Sequence, residues 1–302
     1  PNKLKQGIRK MPREKLTRLA GAVFSFFPLF LTAAIFFVLL LKAFPLLIFK
    51  SLPALIFSSA WQPVKGQFGL WPFILGTLWV TITAFILAVP VSVLTSLYIS
   101  EYAPEGFKKI FQPILDLLAG LPSVIYGMWG VLLIIPFVSK YLAPVFKTYS
   151  SGYSILAAGI VLAVMILPTI INVSVEVLNS VPLDLKEAAL SLGATRFEVW
   201  RYVVLKKASP GIVAACVLGL SRAFGETIAV LMVVGNVPEI PRSPFSPAYP
   251  LPALLANNYG EMMSIPGYES ALNLAAFLLL LIVLSFSLLA RWYLTKISRR
   301  SG

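Results

Sequence analysis

Six apolar runs restrict this chain more than anything else in it. Each is long enough to cross about 30 Å of hydrocarbon, for which a helix needs roughly 20 residues. They cover residues 19–41, 72–99, 117–139, 153–175, 208–235 and 270–290. Only the run at 208–235 holds charge, in Arg222 and Glu226. Hydrocarbon offers no water to a backbone N–H or C=O, so a lone apolar segment inside it must satisfy those groups internally, as a helix. The composition agrees, since 58% hydrophobic and 12% charged residues in a 302-residue chain lie outside the range of soluble domains. The expected fold class is an all-α integral membrane protein with six transmembrane helices.

The first run follows seven Lys and Arg residues, as a secretory leader would. It is longer than a leader's apolar core and no small-residue cleavage site follows, so it reads as a retained helix. The layout expected is a basic tail over 1–18, a first transmembrane helix over 19–43, an outer loop over 44–71, a five-helix transmembrane domain over 72–291 and a short tail over 292–302. Basic residues in short flanking segments mark the cytoplasmic side. Seven precede residue 19, Lys108 and Lys109 follow the second run, five lie between Lys186 and Lys207, and four follow Ala290. The opposite segments hold only Lys42, Lys50, Lys65, Lys140, Lys147 and Arg242. Both termini are expected in the cytoplasm.

The net charge of +13 is accounted for by this bias and by anionic lipid, so nucleic-acid binding is not expected. Without a histidine, and with the single cysteine Cys216 inside the fifth run, no metal site or disulfide framework is expected. The acid and base sets of an intramembrane enzyme are missing as well, and no cofactor is implied. No phosphate-cradling G-x-x-x-x-G-K-[ST] loop occurs, so any dependence on ATP has to come from a partner.

The most soluble-looking stretch is "LDLKEAALSLGATRFEVWRYVVLKK", residues 183–207. It reads as helix, turn, helix. Gly193 permits the positive φ of a helix terminator, and Thr195 followed three residues later by Glu198 is a capping box. Phe197, Trp200 and Val204 then form an apolar stripe. Such a unit either rests on the bilayer or docks a cytoplasmic protein.

"EAALSLG", with its downstream spacing, resembles the EAA loop of binding-protein-dependent ABC importer permeases: E-A-A, three residues, G, nine residues, I-x-L-P. The chain supplies Glu187, Ala188, Ala189, Gly193, Val203 and Leu205, and departs with Val203 for isoleucine and Lys206 for proline. "LAGLPSVIYGMWG" (118–130), "LGLSRAFGETIAVLMVVGN" (218–236) and the stretch 73–104 resemble the PstC-type permeases of phosphate importers. The resemblance implies a type I ABC importer permease fold whose coupling helix, carrying Glu187, Ala188, Ala189 and Gly193, lodges in an ATPase. It also implies a PstA-type sister permease, a PstB-type ATPase dimer, a PstS-type phosphate-binding protein, and inorganic phosphate as cargo.

A mid-membrane arginine costs about 2.5–3.5 kcal/mol on insertion scales, so Arg222 needs protein or water around it and a partner. In an unbroken helix Glu226 would sit one turn on, on the same face. The two could simply neutralise each other. Within the family resemblance, Arg222 instead receives phosphate through its planar fork, Glu226 competes for the guanidinium, and Thr227 offers a hydroxyl. Asp116 is expected as a solvated carboxylate at the start of the third run. Two other readings share these residues: import of another oxyanion, and a phosphate-sensing membrane scaffold.

Overall fold

The computed structural model describes the backbone of residues 2–261 and 264–301, with the side chains of 18, 21, 23–261 and 264–296. The order begins with α1 (Asn2–Phe49), α2 (Leu52–Phe57) and a two-stranded hairpin of β1 (Trp61–Gln62) and β2 (Gln67–Phe68). Then follow α3 (Trp71–Glu101), α4 (Glu105–Gly120), α5 (Ser123–Val145), α6 (Ile155–Asn179), α7 (Leu183–Ser191) and α8 (Arg196–Gly225). Short helices α9 (Ile228–Val233) and α10 (Leu251–Asn258) precede the final α11 (Tyr268–Ser301). Six helices are long and apolar enough to span a membrane: α1, α3, α5, α6, α8 and α11.

Three of the expected runs are relocated, the fifth from 208–235 to Arg196–Gly225. The first helix continues through residue 43 to Phe49, and the loop expected over 44–71 holds the end of α1, then α2 and the hairpin. The side chains of the expected tails at 1–17 and 297–302 lie outside the described residues. The third run is divided: Leu117–Gly120 end the amphipathic α4, and the span begins only at Ser123. Leu121 and Pro122 adopt extended backbone between them, as expected for a residue that precedes proline. Within α5, wider turns at Gly130–Ile134 and Val138–Leu142 precede Pro136 and Pro144. A π turn absorbs the carbonyl displaced by a ring that cannot donate.

The core is built around α6, two thirds of whose apolar window is buried. Its first half, "ILAAGIVLA", is small enough for neighbouring backbones to approach closely, which is how helices associate where lipid removes the hydrophobic drive. Val161, Leu162, Ile166 and Ile170 are fully enclosed. α3 packs along most of α6 on one side and α8 on another. A second cluster closes the end of the bundle that holds the hairpin. There Trp61 meets Phe73 edge to face at 5.0 Å, and Tyr249 and Tyr268 pack against the same rings. Thr77 Oγ1 accepts from Leu251 N–H (2.8 Å), fixing the start of α10 on α3. α1 joins this cluster through Ala43 and Leu46 near its end and packs on α11, where Phe36 meets Phe277 at 5.0 Å.

The α6–α8 contact hinges on Gly219, where an added Cβ would stand 2.6 Å from Ile170 Cγ1. Gly219→Leu forces these helices apart next to Arg222, and overpacking of this kind costs about 1–3 kcal/mol. A lower unfolding temperature of the purified protein in detergent is expected; an unchanged one would show that the approach is not needed.

Candidate functional site

Arg222 lies in the last turn of α8, which ends at Gly225. Glu226 has left the helix, with φ −75° and ψ 125°, and the chain resumes as α9 at Ile228. Glycine at the terminus favours this stop, since it has the least to gain from helix. The expectation that Arg222 and Glu226 share one face of a continuous helix therefore fails. Among the described residues Arg222 forms no ion pair within 4.0 Å. Glu226 turns the other way, its Oε1 accepting from the N–H of Ala229 (3.3 Å) in the first turn of α9.

Arg222 meets a neutral partner, Nη1 donating to Thr169 Oγ1 on α6 at 2.8 Å. It also stands in the final turn of α8, the helix end at which a cation is favoured. The charge is thus made tolerable by a hydroxyl and a helix end, without being neutralised. It is partly buried, and among the described residues the rest of its five donors make no protein hydrogen bond.

The third expected residue is elsewhere again. Thr227 lines a cavity of about 460 Å³ with Leu39, Pro252, Tyr259 and Asn273, between α1, α10 and α11, and Arg222 is not part of its wall. The Thr227 hydroxyl donates to Gly225 C=O at 3.3 Å, a local bond. Of the three expected residues, only Arg222 bonds a side chain on another helix.

Thr169 was missed by sequence reading, though a signal exists. Thr169, Asn172, Glu176 and Asn179 recur at spacings of three, four and three along α6, a polar stripe on one helical face. One turn from Thr169, Asn172 Nδ2 donates to Asp116 Oδ1 (3.3 Å), and Gln112 Nε2 donates to both Asp116 Oδ1 (3.1 Å) and Asn172 Oδ1 (3.3 Å). Asp116 thus lies within α4, held by two amides against a span, and not at the head of the third span.

The segment 183–207 forms as expected. α7 carries Glu187 and Ala188 on its exposed side, while Ala189 packs inward on the core. Gly193 has φ +87° in open space, so what it supplies is the turn and not room for a neighbour. Thr195 and Glu198 make both halves of the capping box: Thr195 Oγ1 accepts from Glu198 N–H (3.3 Å), and Thr195 N–H donates to Glu198 Oε2 (2.8 Å). The second helix does not lie along a surface as a separate element. It runs on without a break as α8, reaching Arg222.

Residues 92–301 match the model of the family described as "binding-protein-dependent transport system inner membrane component". The probable ABC transporter permease protein YqgH of Bacillus subtilis is 41% identical over 206 residues, 68% of this chain, which spans 65% of that relative's length. The phosphate transport system permease protein PstC of Xylella fastidiosa is 36% identical over 259 residues, 81% of this chain and 79% of its own. A probable PstC of Methanocaldococcus jannaschii is 30% identical and covers 97% of this chain and 96% of its own. A solved structure of the MetNI methionine ABC transporter in an inward-facing conformation matches with a TM-score of 0.53 over 76% of this chain and 94% of its own, at 23% identity. With six spanning helices, the EAA-type segment and this agreement over most of its length, the chain belongs to the binding-protein-dependent transport system inner membrane component family and has the fold of type I ABC importer permeases.

Proposed function

We propose that the chain is the permease subunit of an ATP-driven importer of inorganic phosphate and supplies one half of the translocation pathway. The observation that carries the reading is Arg222, a partly buried arginine in a spanning helix whose hydrogen-bond partner, Thr169, is uncharged. A desolvated cation with donors to spare is a receptor for an oxyanion, and the guanidinium fork matches two phosphate oxygens at once. The relatives that bear phosphate transport in their names support phosphate as that oxyanion.

Transit requires that binding be weak enough to reverse. Glu226 is turned away in this conformation, so the group that competes with phosphate for Arg222 is the Thr169 hydroxyl. A neutral competitor weakens the trap without repelling the anion. The sister half is a PstA-type permease, and a PstS-type binding protein delivers phosphate at the outer end, where the hairpin and α10 lie. A PstB-type ATPase dimer receives α7 at the cytoplasmic end, the side that the basic residues assign to both termini. Hydrolysis of ATP belongs to that partner.

Import of another oxyanion uses the same residues, because a guanidinium alone does not separate phosphate from sulfate. A sensing scaffold would not need α7 and α8 to be one jointed unit leading to Arg222, which favours transport.

Proteoliposomes holding this chain, its sister permease and the ATPase, with binding protein outside and ATP inside, are expected to accumulate labelled phosphate, undiminished by excess sulfate. Arg222→Ala abolishes accumulation while the complex still assembles, and Arg222→Lys, a point charge without the fork, retains only part of it. Normal accumulation by the alanine variant would remove Arg222 from the pathway.

The turn before α8 yields a separate prediction. A β-branched residue at the φ of Gly193 costs about 1–2 kcal/mol, whereas asparagine is among the few residues that visit this region readily. Gly193→Val is expected to lower phosphate moved per ATP hydrolysed, and Gly193→Asn to preserve it. Equal behaviour of the two variants would show that the turn's conformation is not what matters.

A further inference from the structure

Three consecutive residues at the end of α3 hold, in turn, the end of α6, α7 and the early turns of α8. Ser100 Oγ donates to Asn179 Oδ1, the last residue of α6, at 2.9 Å. Glu101 Oε1 accepts from Lys186 Nζ on α7 at 2.7 Å. The Tyr102 ring meets the Trp200 indole edge to face at 6.5 Å, in the early turns of α8. In sequence these partners lie 79, 85 and 98 residues away, so no local preference brings them together.

The middle contact differs from the other ion pairs. Lys42–Glu269 has side chains about half exposed, and Lys108–Glu105 spans three residues of one helix. Lys186 and Glu101 are exposed to only 22% and 21%. They stand at the edge of a crevice of about 360 Å³ between α3, α7 and α8, whose walls include Leu183, Leu190, Val199 and Trp200. Its partly apolar lining lowers the local dielectric and strengthens the pair relative to a solvated one. The side of α7 that carries Lys186 thus grips α3, while Glu187 and Ala188 remain exposed on it.

We propose that Ser100, Glu101 and Tyr102 form a clasp through which displacement of α7 moves α3, and that the Lys186–Glu101 pair is its principal positioning contact. This rests on the reading of α7 as the element that docks the ATPase. Without the clasp, α7 is joined to the bundle by its two covalent ends, one to α6 and one through Gly193 to α8, and by the inward packing of Ala189. With it, α7 acts on α3 as well, and α3 packs along most of α6, which carries Thr169. A push on α7 therefore reaches both sides of the Arg222–Thr169 contact: Arg222 through the continuous α8, and Thr169 through α3 and α6.

The test uses the complete complex of both permeases, ATPase and binding protein. Its readouts are ATP hydrolysis with and without loaded binding protein, and phosphate moved per ATP hydrolysed. Glu101→Lys and Lys186→Glu each place like charges together. Each is expected to lower binding-protein-stimulated hydrolysis and phosphate per ATP by about tenfold, in the middle of the range that double-mutant cycles find for contacting pairs. Assembly and unstimulated hydrolysis should persist. The double charge swap is expected to restore both readouts to within about threefold, because the pair, and not either residue, carries the signal. Unchanged coupling in the single variants would overturn the proposal, and so would a swap no better than either single. Single variants that fail to assemble while the swap assembles would also overturn it, since the pair would then only hold the fold. Stimulated hydrolysis can be read whatever the cargo, so failure of the phosphate reading and failure of the clasp give different results.

Discussion

Everything in this structure is arranged around a helix that has almost no free surface in its first half. α6 is enclosed by α3, α8 and the lower turns of α5, and its small residues set how near they come. Close packing of backbones has to do the work in hydrocarbon that exclusion of water does elsewhere. The same requirement leaves little space for polar groups, and α6 confines them to its second half. Ser174 there is fully buried with no hydrogen-bond partner among the described residues, as is Ser92 on α3. The remaining polar side chains of that half gather on the face where Thr169 and Asn172 make their bonds.

That division explains why one arginine can be kept in the membrane without a carboxylate. A buried ion pair stabilises only if its Coulomb gain exceeds two desolvation costs. Arg222 avoids the second cost: its helix ends within a turn, and a hydroxyl on α6 takes one donor. Glu226, freed from that role, is used to satisfy an N–H at the beginning of α9. Two charges that look like a pair in the sequence serve two different helix ends, which keeps Arg222 attractive to an anion.

The parts legible in the sequence were those fixed by local rules. Run length predicted the number of spans, though not all their bounds, and the turn at Gly193 and the box of Thr195 and Glu198 formed as read, because both depend on a few neighbouring residues. The errors arose where the deciding neighbour was remote or where apolarity hid a break. Residues 117–120 are as apolar as the span that follows, so composition alone could not show that Pro122 separates them. Residues 226 and 227 sit in an equally apolar stretch, and the end of α8 there depends on packing of α9 against α5 and α6. Thr169 lies 53 residues from Arg222, and only the three-four-three spacing on α6 betrays the face it belongs to.

The order of elements along the chain adds a constraint that no single contact supplies. Thr169 is on the helix that enters the α7 segment, and Arg222 is on the helix that leaves it. Any rotation of α7 that is not absorbed at Gly193 has to change the relation of α6 to α8, and hence the one polar bond between them that holds the cation. Most of that bond's surroundings cannot yield gradually: Gly219 meets Ile170 without room for a methyl group, and close-packed interfaces shift between discrete arrangements more readily than they deform. On the proposed reading, a joint at one end and a tightly packed contact near the other make a lever whose output is whether Arg222 faces a hydroxyl or an anion. Such a lever needs no charge partner for Arg222, and a carboxylate paired with it would have fixed the output in one state.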